Sequence, residues 1–403
     1  MTIALSSLSL FVATSEQVAA SRRRTYVNWG KGMTEEEYLA RDAFTDKHEN
    51  AQNGRLITWV LAPRDNPTSV EAFVSSCETF RREGLVWQQS SLKDSPRNET
   101  GYGIASVFTP SSLRGNGYAR HMMRLLHWVI SDEKFLPKDF PEAWGTPPSR
   151  VARAGDGWFS ALWSDVGPEF YKRCGPTFDQ EGWVVRDAVS TIWDVPHESP
   201  NSDDEAAPGW TWLDEAEVLA LWEKDADHIA SNLNLPDNFQ ASFVFLPNKG
   251  VAAFQHRRNQ HFLDQLVPRN EHWGIKAEPS TSEALPSTFA TWTLDARGPG
   301  PKTLLITRVG SRPEDFGKLF EQVAKAARRQ GMEKIEIYNL PEYLQSVVGL
   351  GMTSPRDEHL SAFKWYGEEK PSQVAWLLNE RFVFCNSDDL FADNLRCYRY
   401  CWC

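Results

Sequence analysis

The apolar positions of the first half of the chain change period repeatedly, and each change marks an element. Residues 8–13 (LSLFVA) read as a strand, and a helical pattern starts near Ser15. A second helix is expected around GMTEEEYLARDAF, then a strand at RLITWVLAP. A loop and a helix are expected over PTSVEAFVSSCETFRREG. The strand GIASVFT then runs through a glycine-rich turn into the helix GYARHMMRLLHWVISDE. Tyr118, Met122, Leu125, Leu126 and Val129 share one face of that helix and are expected in the core. After the Pro-rich stretch FPEAWGTPPSR come a strand at GWFSALWS, a short helix at GPEFYKRCG and a strand near VVRDAVSTIW.

The second half opens with the helix LDEAEVLALWEKDADHIASNL and has strands at ASFVFLP, ATWTLD and TLLITRVG. In PEDFGKLFEQVAKAARRQG, Phe316, Leu319, Phe320, Val323 and Ala327 fall on one helical face, and KIEIYNL follows as a strand. This order of strand, turn, long helix and strand echoes the first half. The turn differs: RVGSRPED has one glycine and a proline where the first half has SLRGNGYA. Strands interleaved with helices give an α/β (α+β) class, a mixed twisted sheet flanked by helices in each half. The stretch VPHESPNSDDEAAPGW has linker composition. The expected organisation is a domain over 1–196, a linker over 197–208, a second domain over 209–385 and a tail over 386–403.

Composition narrows the function classes. A chain of 403 residues with 41% hydrophobic content can bury a core in each half. A net charge of -11 argues against a nucleic-acid binder but leaves room for a local basic pocket around an anionic cofactor. The six cysteines form no disulfide framework, which fits a reducing compartment. The tail RCYRYCWC lacks a histidine partner at finger spacing, so no metal is expected. The N-terminal apolar run is short, and Arg22, Arg23 and Arg24 follow it, the reverse of a secretory signal. With no run near the ~20 residues of a membrane span, a soluble cytoplasmic protein is expected, with no nucleic-acid or membrane partner.

The candidate chemistry sits at the glycine-rich turn. A helix N-terminus attracts phosphate oxygens through its unpaired amides and its partial charge. Gly115 and Gly117 would let that backbone lie against a ligand, and Arg114 would add charge-assisted hydrogen bonds. A P-loop needs GxxxxGK[ST], which is absent. A dinucleotide fingerprint needs a small residue where this chain has Arg120. The pattern R-G-x-G-x-A fits as Arg114, Gly115, Asn116, Gly117, Tyr118 and Ala119. It resembles the acetyl-CoA pyrophosphate loop of the GNAT N-acetyltransferase superfamily.

The resemblance implies acetyl-CoA as co-substrate. The backbone of Val107, Phe108 and Thr109 would meet the pantetheine arm, and residues 114–119 would hold the pyrophosphate. LWSDVGPEFYKRCG lies where the family has a short helix with a tyrosine followed four residues later by glycine; Tyr171 and Gly175 keep that spacing, whereas Pro176 departs from the pattern. Tyr171 is then the implied proton donor to the departing thiolate. Asp165 is the candidate base, ahead of Glu169, with helix capping as the alternative for either carboxylate.

The segments NWGKGMTEEEYLARD, VFLPNKGVAAFQHRR, HWGIKAE and WLLNERFVFC look like those of the fungal lysine N6-acetyltransferase family of lysine catabolism. That resemblance spans most of residues 8–385 and implies acetyl transfer to the ε-amine of free L-lysine. The second half would be a degenerate GNAT-like domain that builds the acceptor wall and does not bind CoA. Arg257 and Arg258 are candidates for pairing an acceptor carboxylate, with a solvated surface as the alternative. His256 and His261 are five apart and make no helical metal pair, and His272 and Trp273 read as a packed turn as readily as a site. Two alternatives stay open: acetyl transfer to another small amine or to protein, and a non-catalytic acyl-CoA-binding protein.

Overall fold

The computed structural model describes residues 3–377 except 31, 90–94, 187, 197–205, 234, 265–268, 279–284, 297–299, 341, 346 and 350. Most of the expected linker and all of the expected tail lie outside the described residues.

The first half runs β1 (Leu8–Val12), α1 (Ser15–Trp29), α2 (Glu35–Thr45), β2 (Leu56–Pro63), β3 (Ser75–Gln88), β4 (Arg97–Phe108), α3 (Tyr118–Ile130), β5 (Gly157–Ser164), α4 (Glu169–Lys172), β6 (Val184–Val185) and β7 (Val189–Asp194). The second begins β8 (Trp210–Leu213), α5 (Glu215–Asn232), β9 (Ala241–Phe245), α6 (Phe254–Leu263), β10 (Gly274–Ala277), β11 (Phe289–Asp295) and β12 (Thr303–Gly310). It continues α7 (Pro313–Arg329), β13 (Lys334–Tyr338), α8 (Glu342–Gln345), β14 (Met352–Pro355), β15 (Leu360–Trp365) and β16 (Val374–Trp376).

Local chemistry sets the helix starts. Reciprocal caps join Thr14 to Gln17, Thr34 to Glu37 and Asp214 to Glu217 at α1, α2 and α5. Each satisfies two backbone amides that would otherwise lack partners. The α7 helix has Pro313 in its first turn and Arg328 and Arg329 in its last, matching the helix dipole.

The strands form two mixed sheets. The first has the order β1-β2-β3-β4-β5-β15-β6, with β9 on the far end of β3 and β16 on β9. The second has the order β8-β10-β11-β12-β13-β7-β14. The seven positions correspond one to one. In each sheet the fourth and fifth strands are parallel, joined by a long helix: β4 and β5 by α3, β12 and β13 by α7. Each half also lends a strand to the other. β15 lies between β5 and β6, and β7 lies between β13 and β14. Phe243 of β9 reinforces the exchange, packing on Phe159, Phe363, Trp365 and Trp376 at centroid distances of 4.3–6.0 Å.

Two expectations are corrected here. The segment 67–84 contains no helix, since its residues from Ser75 onward belong to β3. That strand pairs with β2 and β4 and is covered on both faces, so its buried positions run almost continuously and cannot be told from a helix by period. The strand expected near 184–193 is two strands, β6 and β7, in different sheets, because the chain crosses between sheets there.

In the second sheet, β12 and β13 are paired from Thr303 to Leu305. Beyond that point Arg308 of β12 forms a buried two-pronged ion pair with Asp225 of α5, at 2.6 and 2.8 Å. Asp225→Asn would leave a buried guanidinium without its counter-charge. It is expected to lower stability by about 3–5 kcal/mol in urea unfolding; a loss under about 1 kcal/mol would show the pair to be dispensable. Among the described residues no helix is long and apolar enough to cross a membrane, and no group of three or more His, Cys, Asp or Glu side chains could hold a metal ion.

Candidate active site

The site begins where two parallel strands part. β4 and β5 are in register from Thr100–Gly157 to Gly103–Ala161, yet β4 continues to Phe108 and β5 to Ser164. The cause lies in β4. Its register with β3 shifts between Ser76 and Glu78, and Ser106 has φ +53°. Such a bulge bends the strand and ends its pairing on one side. Val107, Phe108 and Thr109 therefore lie past the ladder, facing the opening. Ser75 Oγ fixes this end of the strand, donating to the Phe108 carbonyl at 2.8 Å and lying 2.9 Å from Thr109 Oγ1.

The glycine loop follows at once. Gly115 has φ +83° and Gly117 +80°, in the left-handed region that side chains rarely adopt. Among the described residues, and leaving aside the adjoining chain, no atom lies within 4 Å of a Cβ built on Gly115, and Leu5 Cδ1, at 3.7 Å, is the one that meets a Cβ on Gly117. The glycines are thus required by backbone conformation, and they leave the approach to the α3 N-terminus open. Gly117 caps α3 without a side-chain hydrogen bond. Arg114 is exposed, with Nε donating to the Thr109 carbonyl at 3.0 Å, and Asn116 Nδ2 donates to the Leu113 carbonyl at 3.0 Å. Tyr118 differs from its neighbours: its ring is core, and its hydroxyl accepts the Ile3 amide at 2.9 Å, so only its backbone belongs to the loop. Ala119 is half-buried behind it.

Tyr171 of α4 packs in the same core as α3, against Phe170 and Trp183 at 4.9 and 6.4 Å. Burial first, then the nearby Cys174 and Asp165, hold its hydroxyl pKa above the ordinary tyrosine value. It stays protonated, as a proton donor must. The Tyr-to-Gly spacing has a packing reason, since a Cβ on Gly175 would run into the Gln180 carbonyl. The departure at Pro176 is accommodated: its carbonyl accepts the Trp128 indole at 3.0 Å.

A chain of hydrogen bonds beneath α4 escaped the sequence. The Cys174 carbonyl can only accept, so His127 Nε2 carries the hydrogen of their 2.7 Å contact. Burial first holds the His127 pKa well below its ordinary value, so the ring is neutral and Nδ1 accepts from the Tyr366 hydroxyl at 3.0 Å. Tyr366 in turn meets Ser160 Oγ at 3.1 Å, which accepts the Trp183 indole at 2.9 Å. Tyr366 follows β15, so the second half helps to seat the Tyr171 turn.

Asp165 Oδ1 accepts the His359 amide at 2.9 Å and lies 2.8 Å from His359 Nδ1. It ties the β5–α4 loop to the entry of β15. Glu169 is exposed and pairs with Arg173 at 3.5 Å.

The opposite face of the sheet carries a second feature. Along β3, Cys77 and Thr79 face the α3 side, where Trp59 Nε1 donates to Thr79 Oγ1 at 2.8 Å. Ser76 and Glu78 face the other way, and Ser76 Oγ bonds Ser21 of α1. There a small cavity of about 30 Å³ opens beneath the β4 bulge, lined by Arg22, Arg41, Asp42, Glu78, Ser106 and Arg258 among others. Its charges are of both signs. Arg22 reaches Asp46 at 2.7 Å and Glu78 at 3.7 Å, and Ser106 Oγ donates to Glu78 at 2.7 Å. Neighbouring arginines part company on α6: Arg257 pairs with Glu215 at 2.9 Å, whereas Arg258 lines the cavity. His256 is buried against the Trp292 carbonyl at 2.9 Å, and the His261 side chain lies outside the described residues. His272 stacks on Trp212 at 5.2 Å and Trp273 is buried, which makes this a packed turn. Arg22, Glu78 and Ser106 come from three separated segments, and no local motif joins them.

Comparison with known proteins agrees with this architecture. Residues 194–385 match the family described as the LYC1 GNAT-like C-terminal domain. A Yarrowia lipolytica protein named lysine acetyltransferase is 27% identical over 187 residues, 46% of this chain and 42% of that protein. The chain therefore aligns with less than half the length of that relative. GCN5-related N-acetyltransferases from Kribbella flavida and Anabaena variabilis superpose with TM-scores of 0.46 and 0.49, at 13% and 11% identity. Each superposition covers 89% of this chain, and 72% and 73% of those chains; at these scores the likeness carries no weight for function. The chain is a tandem of two α/β halves, of which the second resembles the LYC1 GNAT-like C-terminal domain and part of the chain resembles a Yarrowia lipolytica lysine acetyltransferase.

Proposed function

We propose that the chain is an acetyl-CoA-dependent N-acetyltransferase acting on the N6-amine of free L-lysine in the cytoplasm. The observation that carries this is the opening between β4 and β5, which has a left-handed glycine loop and a protonated, buried Tyr171 on one face and a cavity of mixed charge on the other. In this assignment residues 1–196 form the catalytic domain, 197–208 the linker, and 209–385 the half that completes the acceptor pocket through α6. The pyrophosphate would rest on the amides of residues 115–119 with Arg114 beside it, and the pantetheine would run along Val107–Thr109. A neutral amine would attack the thioester carbonyl from the cavity side while Tyr171 protonates the thiolate. An amino acid presents a carboxylate and an ammonium together, which suits carboxylates and guanidinium groups gathered in one cavity.

Free thiol release from acetyl-CoA with a panel of amines tests the assignment. Turnover with L-lysine is expected to exceed that with other amines. Turnover with other small amines alone would remove lysine and keep the chemistry. Silence across the panel with acetyl-CoA still bound would favour a non-catalytic acyl-CoA-binding protein.

A further inference from the structure

We propose that Glu78 is the residue that takes the proton from the attacking ammonium group, held in place by Ser106 and Arg22; this rests on the acetyltransferase assignment. Glu78 stands on β3 beside the β4 bulge, paired in register with Ala105, and its carboxylate faces the cavity. The bulge gives it a partner. The left-handed turn at Ser106 brings that hydroxyl to 2.7 Å from Glu78 Oε2. Arg22 Nη2 lies 3.7 Å from Oε1, near enough to favour the ionised form and too far for a tight hydrogen bond that would occupy that oxygen. Asp42 and Asp46 are worse placed to act as the base: Asp46 is held by Arg22 at 2.7 Å and Asp42 by Arg41 at 2.6 Å.

Burial pushes the Glu78 carboxyl above the usual carboxylate range, Arg22 opposes the rise, and Asp42 adds to it. A carboxylate raised in this way is a better proton acceptor near neutrality than a solvated one. The charged and titratable groups facing Glu78 are Arg22 from α1, Tyr38, Arg41 and Asp42 from α2, Asp46 just after it, and Arg258 from α6.

The step balances. Glu78 takes one proton from the ammonium and frees the nitrogen lone pair. The N–C bond forms, the C–S bond breaks, and the thiolate takes the Tyr171 proton. The amide nitrogen then loses its second proton, which restores Tyr171 through solvent, and Glu78 returns its own to solvent. The products are amide, thiol and one proton.

The test compares wild type, Glu78→Gln and Ser106→Gly in pH profiles of turnover, with acetyl-CoA affinity by calorimetry and melting temperature as controls. Glu78→Gln is expected to lower kcat by about 10²-fold, with acetyl-CoA affinity and melting little changed, and to abolish the acidic limb of the profile. Ser106→Gly keeps the left-handed turn but removes a hydrogen bond to the charged carboxylate, so the acidic limb should move to higher pH. A rise in KM at unchanged kcat would overturn the base role and make Glu78 a ground-state ligand of the ammonium. A kcat within threefold of wild type would overturn it while leaving the acetyltransferase assignment standing on wild-type turnover. A wild type that turns over no amine would overturn both.

Discussion

Gly117→Glu is expected to weaken acetyl-CoA binding by roughly 10²–10⁴-fold. The position has φ +80° and caps α3 with no side chain of its own, so the new carboxylate would stand where the pyrophosphate meets the first helical amides. Losing two charge-assisted hydrogen bonds at about 1.5–3 kcal/mol each gives that range. Backbone strain contributes separately, since a left-handed residue with a side chain costs roughly 1–2 kcal/mol. Gly117→Ala isolates this part: it should lower the melting temperature as much as Gly117→Glu but weaken binding by about tenfold or less. Calorimetric titration reads both variants. An unchanged dissociation constant for Gly117→Glu would remove the phosphate from this loop.

Tyr171→Phe is expected to lower kcat by roughly 10²–10⁴-fold, the range for a missing general acid, with acetyl-CoA affinity retained. The ring sits in a core, packed against Phe170 and Trp183. Phenylalanine therefore keeps the packing and removes only the proton. Because the hydroxyl titrates above its ordinary value, the alkaline limb that Tyr171 causes should lie above pH 10 and disappear in the variant. A Tyr171→Phe enzyme with wild-type kcat would make Tyr171 structural and leave thiolate protonation to water.

The glycine loop was legible in the sequence because its conformation is local. Two glycines, an arginine and a helix start occupy consecutive positions, and what they do depends on backbone conformation within one turn. The core face of α3 was legible for the same reason, as Met122, Leu125, Leu126 and Val129 are all fully buried. β3 was not legible, because a strand covered on both faces loses its alternation. The long-range pairs around the candidate site were hidden too. Glu78 meets Ser106, Asp165 meets His359, and Cys174 is held by His127, which Tyr366 orients. These contacts join residues far apart in the chain, and no period records them.

By itself the sequence determined the fold class, the glycine loop, the Tyr-to-Gly turn and the repetition of strand, helix and strand in both halves. Each depends on neighbours in the chain, on the helical or strand repeat, or on the dihedral freedom of glycine. Tertiary structure alone decided that β7 and β15 change places between the sheets, and that α6 brings Arg258 to a cavity built mainly by the first half. Strand exchange depends on which sheet edge is free to form hydrogen bonds when the halves meet. The cavity depends on a bulge that turns one serine toward a glutamate on the next strand. Neither property is carried by local sequence, because the partners meet only in the folded chain.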